Sequence, residues 1–235
     1  MPLQALPAFT DNYIWTLADE AGRAIVVDPG EAGPVLRAAD DGLQPVAILL
    51  THHHPDHIGG AGALLQRWPG LPVFAPVDDR IDLPCQRVVA GDTVAAGDWQ
   101  FGVLEIPGHT RSHVAFVGHG LVFCGDTLFS LGCGRLFEGT PGQMLASLDR
   151  LAALPPPTRV CCGHEYTLAN ARFALHAEPE NQDVARRLEQ VSAMRERGEV
   201  TLPTTVAEER ATNPFVRASD VEQFARLRSE KDSFR

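Results

Sequence analysis

The sequence THHHPDHIGG at residues 51–60 concentrates side chains that bind metal ions. It follows an apolar run typical of a strand, and α/β sheets usually place ligand sites at the carboxyl ends of their strands. Alternate residues of an extended segment face the same way, so His52 and His54 can share one ion while His53 points elsewhere. A histidine-rich surface tract is the alternative, but the position between an apolar strand and a glycine-started helix favours metal binding.

Further candidate ligands continue this pattern. Asp56 and His57 stand where the chain turns into a helix, and they can face a second ion. Three more ligand-type residues follow apolar runs at glycine-marked turns: His109 in PGHT, Asp126 in CGDT and His164 in CGHEYT. We therefore expect two ions, the first held by His52, His54 and His109, the second by Asp56, His57 and His164, and both by Asp126, whose two oxygens can bridge them.

This donor set predicts hydrolysis by metal-activated water. Imidazoles and carboxylates without thiolates suit zinc, and also iron or manganese. Two ions roughly 3.5 to 4 Å apart can hold one hydroxide, and metal binding can lower the pKa of water from 15.7 to about 7. Asp56 and Asp126 are the expected catalytic carboxylates, because their remaining oxygens can orient that hydroxide. No serine or cysteine nucleophile is needed, and Cys124, at the end of an apolar strand, is interpreted as a small buried residue.

Short apolar runs alternating with glycine- and proline-marked turns predict an α/β fold for the elements that position these ligands. The predicted strands cover 12–18, 24–28, 46–50, 99–106, 114–117, 121–124 and 159–162, and the predicted helices 33–41, 59–68 and 142–154. The run VAILL at 46–50 is apolar throughout, which is typical of a strand covered on both faces. Asp28, in VVDPG, either orients a ligand histidine or caps the turn before Pro29.

The composition becomes helical after residue 167. Residues 168–197 predict two helices with a break at Pro179, and residues 221–231 predict another. We therefore divide the chain into an α/β domain at 1–167 and a small helical domain at 168–235.

The overall composition is that of a globular protein, with 235 residues of which 44% are hydrophobic and 21% charged. The formal net charge of −10 disfavours a nucleic-acid partner, because such binding depends on Lys and Arg at the phosphates. Five cysteines, without C-x-x-C spacing, predict neither a disulfide framework nor a thiolate zinc site. No signal-peptide pattern and no apolar run approaching the roughly 20 residues that cross a bilayer is visible. We expect a soluble, cytoplasmic monomer with no membrane partner.

The motifs resemble those of the metallo-β-lactamase-like hydrolase superfamily, whose signature is His-x-His-x-Asp-His followed by His, Asp and His at strand ends. Within it, the chain is most similar to the glyoxalase II family, the hydroxyacylglutathione hydrolases. The similar segments run through nearly the whole chain: FTDNYIW, VVDPG, THHHPDHIGG, PGHT, FCGDTLF, GCGRLFEGT, CGHEYT, NPF and RSEKD. The segments GCGRLFEGT, CGHEYT and RSEKD are far more specific to this family than the His-Asp motif.

The resemblance implies an αββα sandwich with a dinuclear site at one edge and a C-terminal helical domain that helps to bind glutathione. It implies hydrolysis of S-D-lactoylglutathione and related 2-hydroxyacyl thioesters to D-lactate and glutathione, the second step of methylglyoxal detoxification.

Residues in the family's glutathione-contacting places are Arg135, Phe137, Tyr166, Arg228 and Lys231. The family often has Lys where Arg135 stands, which preserves the charge. It often has Tyr where Phe137 stands, so Phe137 can offer an apolar wall or a backbone contact but no side-chain hydrogen bond. His113 follows Ser where relatives more often carry Gly, and it is assigned no role beyond structure.

Two other kinds of function stay open. One is another chemistry of this superfamily: hydrolysis of a lactone or β-lactam, or oxygenation of a persulfide at a single iron. The other is a noncatalytic metal- or partner-binding protein, which the complete set of seven ligand positions disfavours. RNA processing would need a basic surface, which the net charge of −10 disfavours.

Overall fold

The computed structural model describes residues 2–234, which form two compact units. The first unit runs to Glu105 and includes Val114–His119, and the second comprises Ile106–His113 and the chain from Gly120 onward. Helices and strands occur in both, so the predicted α/β class is confirmed. Within the described residues, no helix combines the length and the apolar character that crossing a membrane requires.

The first unit is built around a six-stranded sheet. Its elements in chain order are β1 (Leu3–Ala8), β2 (Asn12–Ala18), β3 (Arg23–Val27), α1 (Gly33–Asp40), β4 (Gln44–Leu49), α2 (Pro55–Ile58), α3 (Ala61–Arg67), β5 (Val73–Pro76), β6 (Gln86–Val88), β7 (Thr93–Ala96), β8 (Trp99–Glu105) and β9 (Val114–Gly118). The sheet runs β1 to β6 in sequential order, antiparallel from β1 to β3 and parallel from β3 to β6. Strands β7, β8 and β9 pair antiparallel with β8 in the middle.

Strand β4 leads directly into the histidine-rich segment, and it lies in the core. Ala47, Ile48 and Leu49 are fully buried, so both faces of the strand are covered, as its uninterrupted apolar run predicts. Val35 of α1 and Leu64 of α3 belong to the same buried cluster as Ile48. Burying such side chains contributes roughly 1.5–3 kcal/mol each, which gives the ligand-bearing segment a rigid base.

The second unit carries the remaining candidate ligands on short strands and the helices that follow them. Its elements are β10 (Leu121–Gly125), β11 (Leu128–Phe129), β12 (Gly132–Cys133), α4 (Pro141–Ala152), β13 (Arg159–Cys162), α5 (Thr167–Ala177), α6 (Gln182–Glu196), β14 (Thr204–Thr205), α7 (Val206–Thr212) and α8 (Val221–Ser233). Strand β10 pairs parallel with β13, and β13 pairs antiparallel with β14. Strands β11 and β12 form a small antiparallel pair.

Every predicted strand and helix is present, with ends within two residues of the prediction. The predicted break at Pro179 is confirmed, since α5 ends at Ala177 and α6 begins at Gln182, capped by the Asn181 side chain. Helix α7 was not predicted, although Thr205 and Glu208 form a capping box at its start, a pattern that can be read from sequence.

The cysteines are thiols, with no disulfide within the described residues. Burial raises the pKa of the Cys124, Cys161 and Cys162 thiols well above the ordinary value, and that of Cys133 to about 11. The interpretation of Cys124 as a small buried residue is confirmed, since none of its surface is exposed. These thiols do not offer thiolates for catalysis or metal binding at neutral pH.

Glu209, on α7, is a buried acid, with 2% of its surface exposed. Its carboxylate accepts hydrogen bonds from Leu131 N at 2.9 Å, Thr204 Oγ1 at 2.8 Å and Asn213 Nδ2 at 2.8 Å. Burial raises its pKa from 4.5 to about 7, although the hydrogen bonds act in the opposite direction.

Glu209→Gln should change how stability depends on pH. Between pH 4.5 and about 7 the native protein keeps a proton that the unfolded chain loses, so the stability contributed by this proton is lost as the pH rises through that window. Gln does not titrate, so the variant does not lose this stability. Its free energy of unfolding relative to that of the parent should therefore rise by up to about 3 kcal/mol between pH 4.5 and pH 8. Urea unfolding of the parent and the variant at both pH values measures this change, and Glu222→Gln, at an exposed position, is the control. If the stability difference between Glu209→Gln and the parent were the same at both pH values, the prediction would be wrong.

Candidate metal centre

The donors of the first unit lie in the turn between β4 and α2. His52 Nε2 stands 3.1 Å from His54 Nδ1, whereas His53 faces another way, with its Nδ1 3.4 Å from Asp78 Oδ2. Tetrahedral zinc with Zn–N distances of about 2.0–2.1 Å holds its ligand atoms roughly 3.3 Å apart. The observed separation of His52 Nε2 and His54 Nδ1 fits two ligands of one ion, and the contact of His53 with Asp78 agrees with the expectation that His53 points elsewhere.

Asp28 orients His57 directly and His52 through Thr51. Its Oδ2 accepts hydrogen bonds from His57 Nδ1 at 3.0 Å and from Thr51 Oγ1 at 2.6 Å, and its Oδ1 accepts one from Thr51 N at 2.8 Å. Because the Thr51 hydroxyl donates to Asp28, it accepts from His52 Nδ1, 3.0 Å away. Both imidazoles thus carry their proton on Nδ1 and present the Nε2 lone pair to a metal. Of the two roles considered for Asp28, these contacts support the orienting one.

Asp56 is held by Asn12, a residue that sequence reasoning did not single out. Asn12 Nδ2 donates to Asp56 Oδ2 at 3.0 Å and to the Asp56 carbonyl at 3.3 Å. His57 Nε2 lies 3.6 Å from Asp56 Oδ2, so two of the donors predicted for the second ion are neighbours. Asn12 belongs to the segment FTDNYIW, which was noted only as a family motif.

The donors of the second unit converge on Asp126. Its Oδ2 lies 3.5 Å from His109 Nε2 and 3.2 Å from His164 Nε2, separations again close to those of ligands on one ion. His109 Nδ1 donates to the Arg135 carbonyl at 2.9 Å, which leaves Nε2 as the ligand atom. The structure therefore brings all three donors of this unit together.

His113 positions Asp126 through the backbone. It is fully buried, and its Nε2 accepts a hydrogen bond from Asp126 N at 3.2 Å. The chain also passes very close to Asp126 at Gly134, where a Cβ atom would lie 1.9 Å from the Asp126 carbonyl. Only glycine fits at this approach, which accounts for the second glycine of GCGRLFEGT.

Three of the five predicted substrate residues line a cleft of about 480 Å³ in the second unit, whereas Tyr166 and Lys231 do not. Arg135, Phe137 and Arg228 line it, together with Asp232, whose Oδ1 lies 3.5 Å from Arg135 Nε and 2.9 Å from Arg228 Nη2. Phe137 is 64% exposed and its ring centroid is 5.2 Å from that of His109, so it presents an apolar surface beside a predicted ligand.

The two predicted substrate contacts on α8 differ in their exposure, because Lys231, unlike Arg228, is only partly buried. Arg228 is buried and donates to the Cys133 carbonyl at 2.8 Å. Lys231 lies one helical turn further along α8, where its Nζ donates to the Ala169 carbonyl at 3.1 Å. Burial, followed by the charges of Arg228 and Arg135, lowers the pKa of Lys231 to about 8. The three predicted cations thus lie close enough to influence one another.

Tyr166 stacks on a predicted ligand. Its ring lies 4.7 Å from the His164 ring at an interplanar angle of 8°, and 37% of its surface is exposed. It therefore has an exposed part that a ligand could contact.

Two family models together match nearly the whole chain. The model described as metallo-beta-lactamase superfamily matches residues 11–164, and that described as hydroxyacylglutathione hydrolase C-terminus matches residues 165–234. Hydroxyacylglutathione hydrolases from Xylella fastidiosa (strain M23) and Xanthomonas campestris pv. campestris (strain B100) are each 55% identical to this chain over its full length, covering 98% and 100% of the relatives.

Solved structures agree with the fold. The chain is similar to ETHE1 from Myxococcus xanthus, with a TM-score of 0.74, 27% identity, and coverage of 100% of this chain and 93% of the other. It is also similar to TTHA1623 in a di-iron-bound form, with a TM-score of 0.64, 29% identity, and coverage of 92% and 100%.

Proposed function

The chain belongs to the hydroxyacylglutathione hydrolase family of the metallo-β-lactamase superfamily, and we propose that it hydrolyses S-D-lactoylglutathione and related 2-hydroxyacylglutathione thioesters to the free acid and glutathione. This is the second step of methylglyoxal detoxification. The observation that carries the proposal is a cleft lined by Arg135 and Arg228 in the unit that also holds the donors His109, Asp126 and His164.

The proposed centre contains two divalent metal ions held by the seven predicted donors. The ligands are His52, His54 and His109 for one ion, Asp56, His57 and His164 for the other, and Asp126 for both. Support comes from the donor separations within each unit and from the Nδ1 hydrogen bonds of His57 and His109, which make Nε2 their ligand atom. Zinc suits this set of imidazoles and carboxylates, and iron or manganese are the alternatives; TTHA1623, at 29% identity, is described in a di-iron-bound form.

When bound, the ions supply an acidified water as nucleophile and a Lewis acid for the carbonyl oxygen and the departing thiolate. The chain's own residues supply orientation. Asp28 and the Arg135 carbonyl keep the protons of His57 and His109 on Nδ1, and Asn12 holds one oxygen of Asp56. Because glutathione carries two carboxylates and one ammonium, a cationic cleft in an otherwise acidic protein selects it.

Residues 168–235 are the proposed glutathione-binding domain, supported by the match of residues 165–234 to the C-terminal family model. We place the protein in the cytoplasm as a monomer. The buried thiols, which form no disulfide within residues 2–234, agree with a reducing compartment.

Elemental analysis together with activity tests the function. The purified protein should contain about two divalent ions per chain and should cleave S-D-lactoylglutathione, with thiol release as the readout. The matched control substrate is the D-lactoyl thioester of N-acetylcysteine, which keeps the reacting group and lacks most of the anionic tripeptide. We expect kcat/KM to be at least about 100-fold lower for this control. One iron per chain with oxygen uptake, or equal rates on both thioesters, would contradict the proposal.

A further inference from the structure

The segment from Phe129 to Cys133 connects a predicted metal ligand, Asp126, to a predicted substrate contact, Arg135. Side chains from far along the sequence bind its main-chain groups. Asn213 Nδ2 donates to the carbonyls of Phe129 at 3.1 Å and Gly132 at 2.9 Å. Two further carbonyls accept hydrogen bonds from side chains, that of Ser130 from Asn170 Nδ2 at 3.1 Å and that of Cys133 from Arg228 at 2.8 Å. The remaining residue, Leu131, donates its backbone N–H to the Glu209 side chain at 2.9 Å. Each of the five residues thus has a main-chain group held by a side chain between 170 and 228.

Glu209 and Asn213 form the centre of this arrangement. Glu209 lies within α7, Asn213 directly follows the helix about one turn further on, and the two are joined by the 2.8 Å hydrogen bond from Asn213 Nδ2 to Glu209 Oε2. The Asn213 Oδ1 also accepts from Phe215 N at 3.0 Å, and Thr204 Oγ1 holds the other oxygen of Glu209. Both residues are buried, so these bonds are made out of contact with water, where losing one is costly.

The two ends of the segment are where its position matters. At one end, Asp126 Oδ2 stands between the Nε2 atoms of His109 and His164. At the other end, the Arg135 carbonyl accepts the proton of His109 Nδ1, and the Arg135 side chain lines the cleft. A shift of the segment would therefore move a metal ligand and a substrate contact together.

We propose that Glu209 and Asn213 are positioning residues for the reaction, which hold the 129–133 segment so that Asp126 and Arg135 keep their places. The roles of Asp126 as a metal ligand and of Arg135 as a substrate contact are taken from the proposed function, on which this proposal therefore rests. Glu209 and Asn213 bind neither metal nor substrate, and they act through the backbone. A mutation far from the reacting atoms that misplaces a catalytic or substrate-binding group by 1 Å can lower the reaction rate about 100-fold.

The experiment compares Glu209→Ala and Asn213→Ala with Glu209→Gln. In the Gln variant, the amide oxygen can still accept from Leu131 N, and the amide nitrogen can donate to Thr204 Oγ1, so the segment stays held. The matched control is Glu222→Ala on the exposed first turn of α8. Three quantities are measured on folded protein: zinc affinity by chelator competition without substrate, the Kd for glutathione by calorimetry, and kcat and KM for thioester hydrolysis.

We expect the two Ala variants to bind zinc at least about 10-fold more weakly, with a raised Kd for glutathione, while Glu209→Gln and Glu222→Ala stay close to the parent. If the Ala variants are folded and less stable, yet bind zinc and glutathione as the parent does, the positioning role is wrong. Should they fail to fold, Asn170→Ala, which releases only the Ser130 carbonyl, decides in the same way with a smaller expected change. A parent that binds zinc but does not cleave the thioester would reject the proposed function and leave the zinc comparison valid.

Discussion

Asp126→Ala should give a folded protein whose thioester hydrolysis is reduced on the order of 10³-fold. The Asp126 carboxylate lies between His109 and His164, 3.5 and 3.2 Å from their Nε2 atoms, and it is the donor proposed to serve both ions. Without it, the two imidazoles remain, but the shared oxygen ligand is lost. We therefore expect metal content to fall together with kcat, as measured by elemental analysis and steady-state kinetics on the same preparation.

The control for this variant is Asp149→Ala, which makes the same chemical change at an exposed position of α4. It should retain parental activity and metal content. If Asp126→Ala kept full activity, Asp126 would not be a catalytic carboxylate, and the proposed role of this carboxylate as a ligand of both ions would be wrong.

Arg135→Ala combined with Lys231→Ala should raise KM for the glutathione thioester by roughly 100-fold while kcat changes little. Each hydrogen bond to a charged group contributes about 1.5–3 kcal/mol when it is shielded and less when exposed, as at Arg135, which is 65% exposed. Because these residues are proposed to bind the tripeptide and not the thioester carbonyl, we expect the loss in substrate binding, which KM reports, and not in kcat.

Arg226→Ala, on an exposed position of the same helix as Lys231, is the charge-matched control and should leave KM near the parental value. An unchanged KM in the double variant would reject the proposed binding mode. Arg228 is left in place because it holds the Cys133 carbonyl, so that Arg228→Ala would combine lost charge with a displaced backbone. Removing Arg228 together with Lys231 should nevertheless also reduce activity.

Much of the fold could be predicted because local patterns suffice to form it. The apolar run of β4 and the helix of α4 before Pro155 carry their own signals, and the alternation of His52, His53 and His54 follows from backbone geometry. The short strands β11, β12 and β14 have too few residues for such a pattern. Their pairing depends on tertiary contacts.

The residues that support the site could not be predicted in the same way. Leu131 and Glu209 are separated by 78 positions, and Asn12 and Asp56 by 44, so neither pair leaves a local pattern. A buried Glu is unexpected from residue type, since isolated Glu is mostly exposed. The candidate metal ligands could be identified from sequence because histidine and aspartate residues that follow strand ends at glycine-marked turns are distinctive by residue type.

The burial of Cys124, Cys133, Cys161 and Cys162 affects how readily these thiols react with electrophiles and oxidants. Electrophiles and oxidants attack the thiolate, and a pKa of about 11 leaves Cys133 about one part in 10⁴ ionised at pH 7. Cys124, Cys161 and Cys162, whose pKa is also raised by burial, are protected for the same reason. A hydrolase that works downstream of methylglyoxal meets reactive carbonyl compounds, and we expect these buried, protonated cysteines to be alkylated and oxidised slowly. We therefore expect the strands that lead to Asp126 and His164 to be modified only slowly by such compounds.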